Sequence, residues 1–294
     1  MFTPFCSSQD RWLPVPGCFC LAQLFFIHAM GYIRNILPYI LLVSTLNYGH
    51  NDGDRLKDCA EEFAGEYNWS KGMRILGYST CPLDREYGQS FDFLTPCGFL
   101  ACIAAAMSIR VGGVFWFAPP CSSWVWLSRW STGRRKNNVM GINVMGTVSD
   151  YIQGQNALVA RLVYILAILV KRKVFFIVEQ PESTLLFEHP RVKRFWQRFS
   201  TQGMYEATVE VGAFNMVCQK RLLLKGTAPY LPNLARLMST EERLQMREGM
   251  FHEKNSVTEK KADGSTKSTG TECLKGTQTY PFAFGCHHAL QYKQ

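Results

Sequence analysis

Apolar and polar positions along this chain fall into segments of two rhythms, one of strand type and one of helix type. Residues 57–65, KDCAEEFAG, mix charged and apolar positions in a short strand. Residues 67–77 read as a helix stopped at Gly77, and 78–84 as a second strand. An alanine-rich run at 98–109 reads as a helix, and GGVFWFAPP at 112–120 is continuously apolar, as a strand buried on both faces requires. A long apolar helix over 149–171 leads to another such strand, KVFFIVEQP at 173–181. A basic helix at 189–199 follows, and strands at 206–214 and 221–227 close the series. Strands alternating with helices, the central ones apolar throughout, predict an α/β fold with a doubly wound, mostly parallel, Rossmann-like sheet.

The flanks break this rhythm. Residues 17–46 are apolar but interrupted by His28, Arg34, Asn35 and Pro38. Their cleanest part, ILPYILLVSTL, has the length of a signal-peptide core and is too short to span a bilayer. Residues 1–50 therefore read as an apolar extension: a membrane or targeting segment, a buried helical extension, or a misplaced gene start. The polar cluster NYGHNDGD at 47–54 marks a boundary, and residues 51–250 form the main domain. Residues 251–273 are rich in Ser, Thr, Lys and Gly and read as a disordered loop. Residues 274–294 regain apolar character as a turn and a final helix packing back on the domain. The expected state is a monomer.

Composition narrows the classes. A hydrophobic content of 47% with 13% aromatic residues excludes a disordered chain. A formal charge of +9 favours a polyanionic partner, nucleic acid or an anionic membrane surface, although a solvated basic face reads the same way. The eleven cysteines include no CxxC pair and no zinc-type spacing, so no metal site is expected. Cys286, His287 and His288 could bind a metal, or lie together by chance. The odd, scattered cysteines suggest reduced thiols, hence an intracellular setting, nucleus or cytoplasm.

In open α/β sheets, ligands bind at the carboxyl ends of the strands. The first strand ends in Phe63-Ala64-Gly65, where a glycine admits a ligand to the backbone and a helix N-terminus favours its carboxylate or phosphate. The second ends at Asp84, the usual place for a carboxylate that grips a ribose diol, with Asp92 in the following turn. The apolar strand at 112–120 ends in Pro119-Pro120-Cys121, and that at 173–181 in Glu179-Gln180-Pro181. A carboxylate directly after VFFIV is costly to bury without a partner or a role. Cysteine and glutamate at adjacent strand tips supply a nucleophile and an acid to one substrate.

In this order, the motifs resemble those of the DNA cytosine-5 methyltransferases: F-x-G, an acidic residue, D, P-P-C and E-N-V. The likeness covers roughly residues 57–230. The chain is also similar to a group of algal and phage-like relatives with PPCSxW and EQPxSxL motifs and a TQxYPxxF element, here TQTYPFAF at 277–284. The resemblance implies a sheet of the S-adenosylmethionine-dependent methyltransferase type. S-adenosyl-L-methionine would lie over Phe63, Ala64 and Gly65, with Asp84 on its ribose, Asp92 on its adenine and Pro119 completing the site. The Cys121 thiolate would attack carbon 6 of a flipped or single-stranded cytosine, and Glu179 would hold ring nitrogen 3. Arg221, with Gln219, echoes the Q-x-R-x-R element and is a third catalytic candidate. The basic loop SRWSTGRRK offers Arg129, Arg134, Arg135 and Lys136 to nucleic acid, DNA in preference to RNA.

There are departures from the family pattern. Glu66 and Tyr67 stand where a second glycine is usual, Glu61 and Glu62 charge the first strand, and E-Q-P replaces E-N-V. Between the last strand and the final helix there is little room for a target-recognition domain. The alternative reading is a catalytically inactive nucleic-acid-binding protein on the same scaffold, possibly tethered to a membrane through residues 17–46.

Overall fold

The structure, a computed structural model, describes residues 56–143, 145–214, 220–248, 256–260, 264, 266–270 and 279–293. The apolar extension expected at 1–50 lies outside them, as does Gln219. The strands are β1 (Lys57–Glu62), β2 (Thr80–Leu83), β3 (Ile109–Phe117), β4 (Phe175–Pro181), β5 (Tyr205–Glu210), β6 (Arg221–Gly226), β7 (Ser256–Lys260) and β8 (Thr266–Gly270). The helices are α1 (Asn68–Ile75), α2 (Pro96–Ser108), α3 (Arg129–Thr132), α4 (Asp150–Lys171), α5 (Pro190–Phe199), α6 (Thr240–Glu248) and α7 (Phe282–Tyr292).

The fold is α/β with a mixed, mostly parallel sheet in the order β2-β1-β3-β4-β6-β5. Strands β1 to β4 pair in parallel, and β6 runs antiparallel to both its neighbours, β4 and β5. The chain length between β5 and β6 accounts for the reversal. A parallel return needs a crossover of a dozen or more residues, whereas a short link favours an antiparallel partner. In β6, Gly226 lets the backbones of β4 and β6 close up, since a Cβ there would lie 1.9 Å from the carbonyl oxygen of Phe176.

The central strands have no wet face. Phe115, Phe117, Phe176 and Val178 are buried on the face covered by α2, α4 and α5. Cys59, Val114, Trp116, Ile177, Leu222 and Leu224 alternate with them and join a second core with Trp69 and Met73 of α1 and with Phe284 and Ala289 of α7. Burying a side chain of this size contributes roughly 1.5–3 kcal/mol, so two filled faces explain the uninterrupted apolar runs. Helix α4 is the one helix among the described residues long and apolar enough to cross a bilayer. It packs on β4, α2 and α5, and Leu162, Ile165, Leu166 and Leu169 are buried there.

Two segments differ from expectation. Residues 206–214 were expected to be strand throughout, but β5 ends at Glu210 and residues 211–214 turn as a 3-10 helix. Within the expected disordered loop, β7 and β8 pair as an antiparallel hairpin with Ser256 opposite Gly270. Alternating Thr and Ser with Val257 gives that stretch β character despite its polarity.

Helix α7 docks on α1 at a glycine crossing. A Cβ on Gly72 would meet the Gly285 carbonyl carbon at 2.4 Å, and one on Gly285 the Asn68 carbonyl oxygen at 2.8 Å. Beside it, Trp69 Nε1 donates to His288 Nδ1 at 2.6 Å, and His288 Nε2 lies 3.0 Å from the Tyr230 hydroxyl. An indole N–H can only donate, so the neutral ring carries its proton on Nε2 and donates it to Tyr230. Burial holds His288 down to about 3, consistent with that neutral form. Gly72→Ala gains about 1 kcal/mol of helix propensity but forces the backbones apart. It should lower stability by about 1–3 kcal/mol net in urea unfolding, and unchanged stability would show that the crossing tolerates a methyl group.

Candidate active site

The connections from the sheet reverse direction between β1 and β3, so the crevice beyond their carboxyl ends is the expected ligand position. The turn after β1 is tight. Phe63, Gly65 and Tyr67 all take left-handed backbone, with φ of 66°, 51° and 48°. Left-handed backbone costs a bulky residue roughly 1–2 kcal/mol, so the surroundings must hold Phe63 and Tyr67 there. They do so from β2. Ala64 N donates to the Leu83 carbonyl at 3.1 Å, Gly65 N to Asp84 Oδ2 at 2.9 Å, and the Tyr87 hydroxyl to the Gly65 carbonyl at 2.6 Å. The Phe63 ring packs edge-on against Phe93 at 5.3 Å. A Cβ on Gly65 would meet nothing within 4 Å, so the space above it is open.

Phe63, Ala64, Gly65 and Asp84 thus stand together. Asp84 pins the turn, and its Oδ1 also accepts from Glu86 N at 2.8 Å. Asp92 forms an Asx turn just before α2, its Oδ1 accepting from Leu94 N at 2.8 Å, while Thr95 caps the helix by accepting from Gly98 N at 3.0 Å. At the following helix N-terminus, one of the donors expected to face a ligand's carboxylate or phosphate is already taken. Glu61 Oε2 already accepts from Ser70 N at 3.0 Å and from Ser70 Oγ at 2.6 Å. The turn has an acidic lining. Burial raises Glu61 to about 8 and pushes Glu62 well above its ordinary value, and the charge of Asp84 adds to both. As neutral acids the two glutamates can donate as well as accept, which suits a hydroxylated ligand.

Strand β3 runs past its last ladder bond into Ala118, whose N–H donates to the Glu62 carbonyl at 3.2 Å. Pro119 is buried, and its carbonyl accepts from Gln180 Nε2 at 2.5 Å. Gln180 Oε1 in turn accepts from Thr184 Oγ1 at 3.1 Å. The glutamine that departs from the family pattern therefore clamps the Pro-Pro turn to β4. Half-buried Cys121 begins the next turn, its carbonyl accepting from Trp124 N at 2.8 Å. Burial pushes its thiol up; the Lys220 charge opposes this and the Glu179 charge adds to it.

Glu179 lies on the opposite face of β4 from Gln180, almost fully buried. Its Oε2 accepts from the Tyr280 hydroxyl at 2.8 Å, and its Oε1 has no partner among the described residues. Burial raises its pKa, and Lys220 and the Tyr280 bond counter that. A buried carboxyl oxygen without a partner is costly, and here it belongs to the group whose charge acts on the Cys121 thiol. Lys220 and Tyr280 were given no role from the sequence. The adjacency of Lys220 to Arg221, and the tyrosine of TQTYPFAF, are the only sequence signals that could have found them.

Two expectations change. Arg221 sits beside the end of β4, its carbonyl accepting from Glu182 N at 3.1 Å, but its guanidinium is paired with Glu210 at 2.8 Å and Glu182 at 3.7 Å. Among the described residues it serves the β5–β6 edge, not Cys121. Arg134 is fully buried, stacked 3.5 Å over Trp124, and donates to the Val139 carbonyl and, at 2.9 Å, to Asn156 Oδ1. It holds the loop from inside and is not available to phosphates; Arg129, Arg135 and Lys136 are exposed. His288 spends both ring nitrogens on Trp69 and Tyr230, and no group of three or more potential metal-ligating residues occurs among the described residues.

No protein-family model matches the chain, and no curated protein matches it significantly.

Because Glu61 is neutral when folded and ionised when unfolded between about 4.5 and 8, its contribution is whole below 4.5 and is lost as pH rises toward 8. Glu61→Gln should therefore flatten the fall of stability across that window relative to the parent, read as the difference of two urea series. Parallel curves would show that Glu61 carries no such linkage.

Proposed function

We propose that the chain is an S-adenosylmethionine-dependent methyltransferase-like enzyme acting on carbon 5 of cytosine in nucleic acid. One observation carries this reading: a half-buried thiol and a buried carboxyl with an unpartnered oxygen lie at the ends of adjacent parallel strands, beside an open glycine turn. The motif resemblance adds the reaction class.

The cofactor reading is supported by the lining of the turn. S-adenosylmethionine supplies an electrophilic methyl group when bound, and it is a sulfonium cation. Asp84 and Asp92 suit its hydroxyl and amino donors, and open Gly65 admits it to the backbone.

Cys121 then acts as nucleophile at carbon 6 of the ring. Burial favours its protonated thiol, and nearby Lys220 is the charge that favours the thiolate. Electron density moves to ring nitrogen 3, where a protonated Glu179 donates through the oxygen that is otherwise unpartnered. Carbon 5 becomes the nucleophile that would take the cofactor's methyl group with a thioether as leaving group, and a base would then remove the carbon 5 proton as the carbon 6–sulfur bond breaks and releases the Cys121 thiolate. Gln180 and the prolines fix the aim of the thiol, and Tyr280 fixes the carboxyl. The left-handed Tyr67 in place of a glycine favours the second reading, a binding protein that has lost the chemistry.

Calorimetric titration with S-adenosylmethionine separates the two, and absence of heat at millimolar cofactor would sink the enzyme. The parent should form a covalent adduct with a 5-fluorocytosine oligonucleotide, and Cys121→Ser should form none. Undiminished trapping by Cys121→Ser would remove that thiol from the mechanism. Tyr280→Phe keeps the ring but removes a bond that lowers Glu179. The limb of the pH–rate profile that needs protonated Glu179 should move to higher pH, and an unmoved limb would exclude this positioning role.

A further inference from the structure

Beyond Cys121 the chain commits a buried arginine and a half-buried asparagine to holding a single loop. Arg134 fixes it from below through Trp124, Val139 and Asn156. Asn138 ties it internally, accepting from Ile142 N at 3.0 Å and donating to the carbonyls of Gly133 at 3.2 Å and Ile142 at 2.6 Å. The outward side of this braced loop is aromatic and basic. Trp126 is 50% exposed and Trp130 88%. They stand four residues apart on the continuous helical stretch 126–132, so they occupy neighbouring positions on its surface. Exposed Tyr151 flanks the start of the loop, its hydroxyl 2.7 Å from Ser122 Oγ. Arg129, Arg135 and Lys136 are exposed and form no ion pair among the described residues.

We infer that this surface is a stacking platform for single-stranded nucleic acid. The inference rests on the loop's position next to Cys121 and so deepens the functional reading above. A large indole left almost wholly in water gains when a flat ring covers it, and every base of a single strand offers a face for that purpose. A duplex keeps its base faces stacked inside and offers the two indoles nothing except at its ends. The three cations supply the phosphate contacts that stacking alone lacks. An anionic membrane is the weaker partner, because residues 126–132 are too few to form an interfacial amphipathic helix.

The test is fluorescence anisotropy of the full chain with a labelled twelve-nucleotide oligodeoxycytidine, without cofactor. Trp130→Ala should weaken binding about 5- to 150-fold, the range for losing one base–aromatic stack. Joint replacement of Arg135 and Lys136 by Gln should shallow the dependence of affinity on salt. A duplex of the same length and anionic phosphatidylserine vesicles should each compete at least tenfold less well. An unchanged urea midpoint for Trp130→Ala shows that the fold is kept. Unaltered affinity in that variant, or equal competition by duplex or vesicles, overturns the proposal. Because no methyl transfer is needed, tight oligonucleotide binding by a chain that never binds cofactor would end the enzyme reading and leave the platform standing.

Discussion

Strands β3 and β4 are covered on both faces, and every polar group of the site is displaced to where they stop. Inside the sheet a charge at Phe115 or Ile177 would have neither water nor a partner, so chemistry can begin only past Phe117 and Val178. At that edge the chain places two prolines, a thiol, a carboxyl and an amide. The Gln180 bond to the Pro119 carbonyl then joins the two strand ends into one rigid unit. The turn after β1 is the third part of that edge, held by Asp84 and by the Ala118 bond to the Glu62 carbonyl.

Buried carboxyls give this edge its character. Glu61, Glu62 and Glu179 are all pushed upward by burial, so the site favours neutral acids over carboxylates. Neutral acids can donate as well as accept a hydrogen bond. The same burial works against Cys121, and the charge of Lys220 is the local counterweight. The thiol and the Glu179 carboxyl are thus both governed by burial and by the charge of Lys220.

The C-terminal helix belongs to the site as much as to the core. Gly72 and Gly285 bring α7 close to α1, and the Trp69–His288–Tyr230 chain locks that contact. The docked segment delivers Tyr280, which accepts weakly from Trp116 Nε1 at 3.4 Å and donates to Glu179. Residues more than a hundred positions apart in sequence are therefore joined by one hydroxyl.

The alternation of apolar runs and turn signals was enough to reveal the α/β class, the doubly buried strands and the strand tips bearing Phe63-Ala64-Gly65, Pro119-Pro120-Cys121 and Glu179. Those features are local, because burial on two faces and a backbone reversal each leave a mark within a few residues. The antiparallel placement of β6, the inward turn of Arg134, the pairing of Arg221 with Glu210 and the arrival of Tyr280 at Glu179 were not legible. A basic residue in a polar loop reads the same whether it faces water or an indole ring, and only the packing of Trp124 decides it. A carboxyl at a strand end signals a need for a partner, but which partner arrives, and from where in the chain, is settled by tertiary contacts alone.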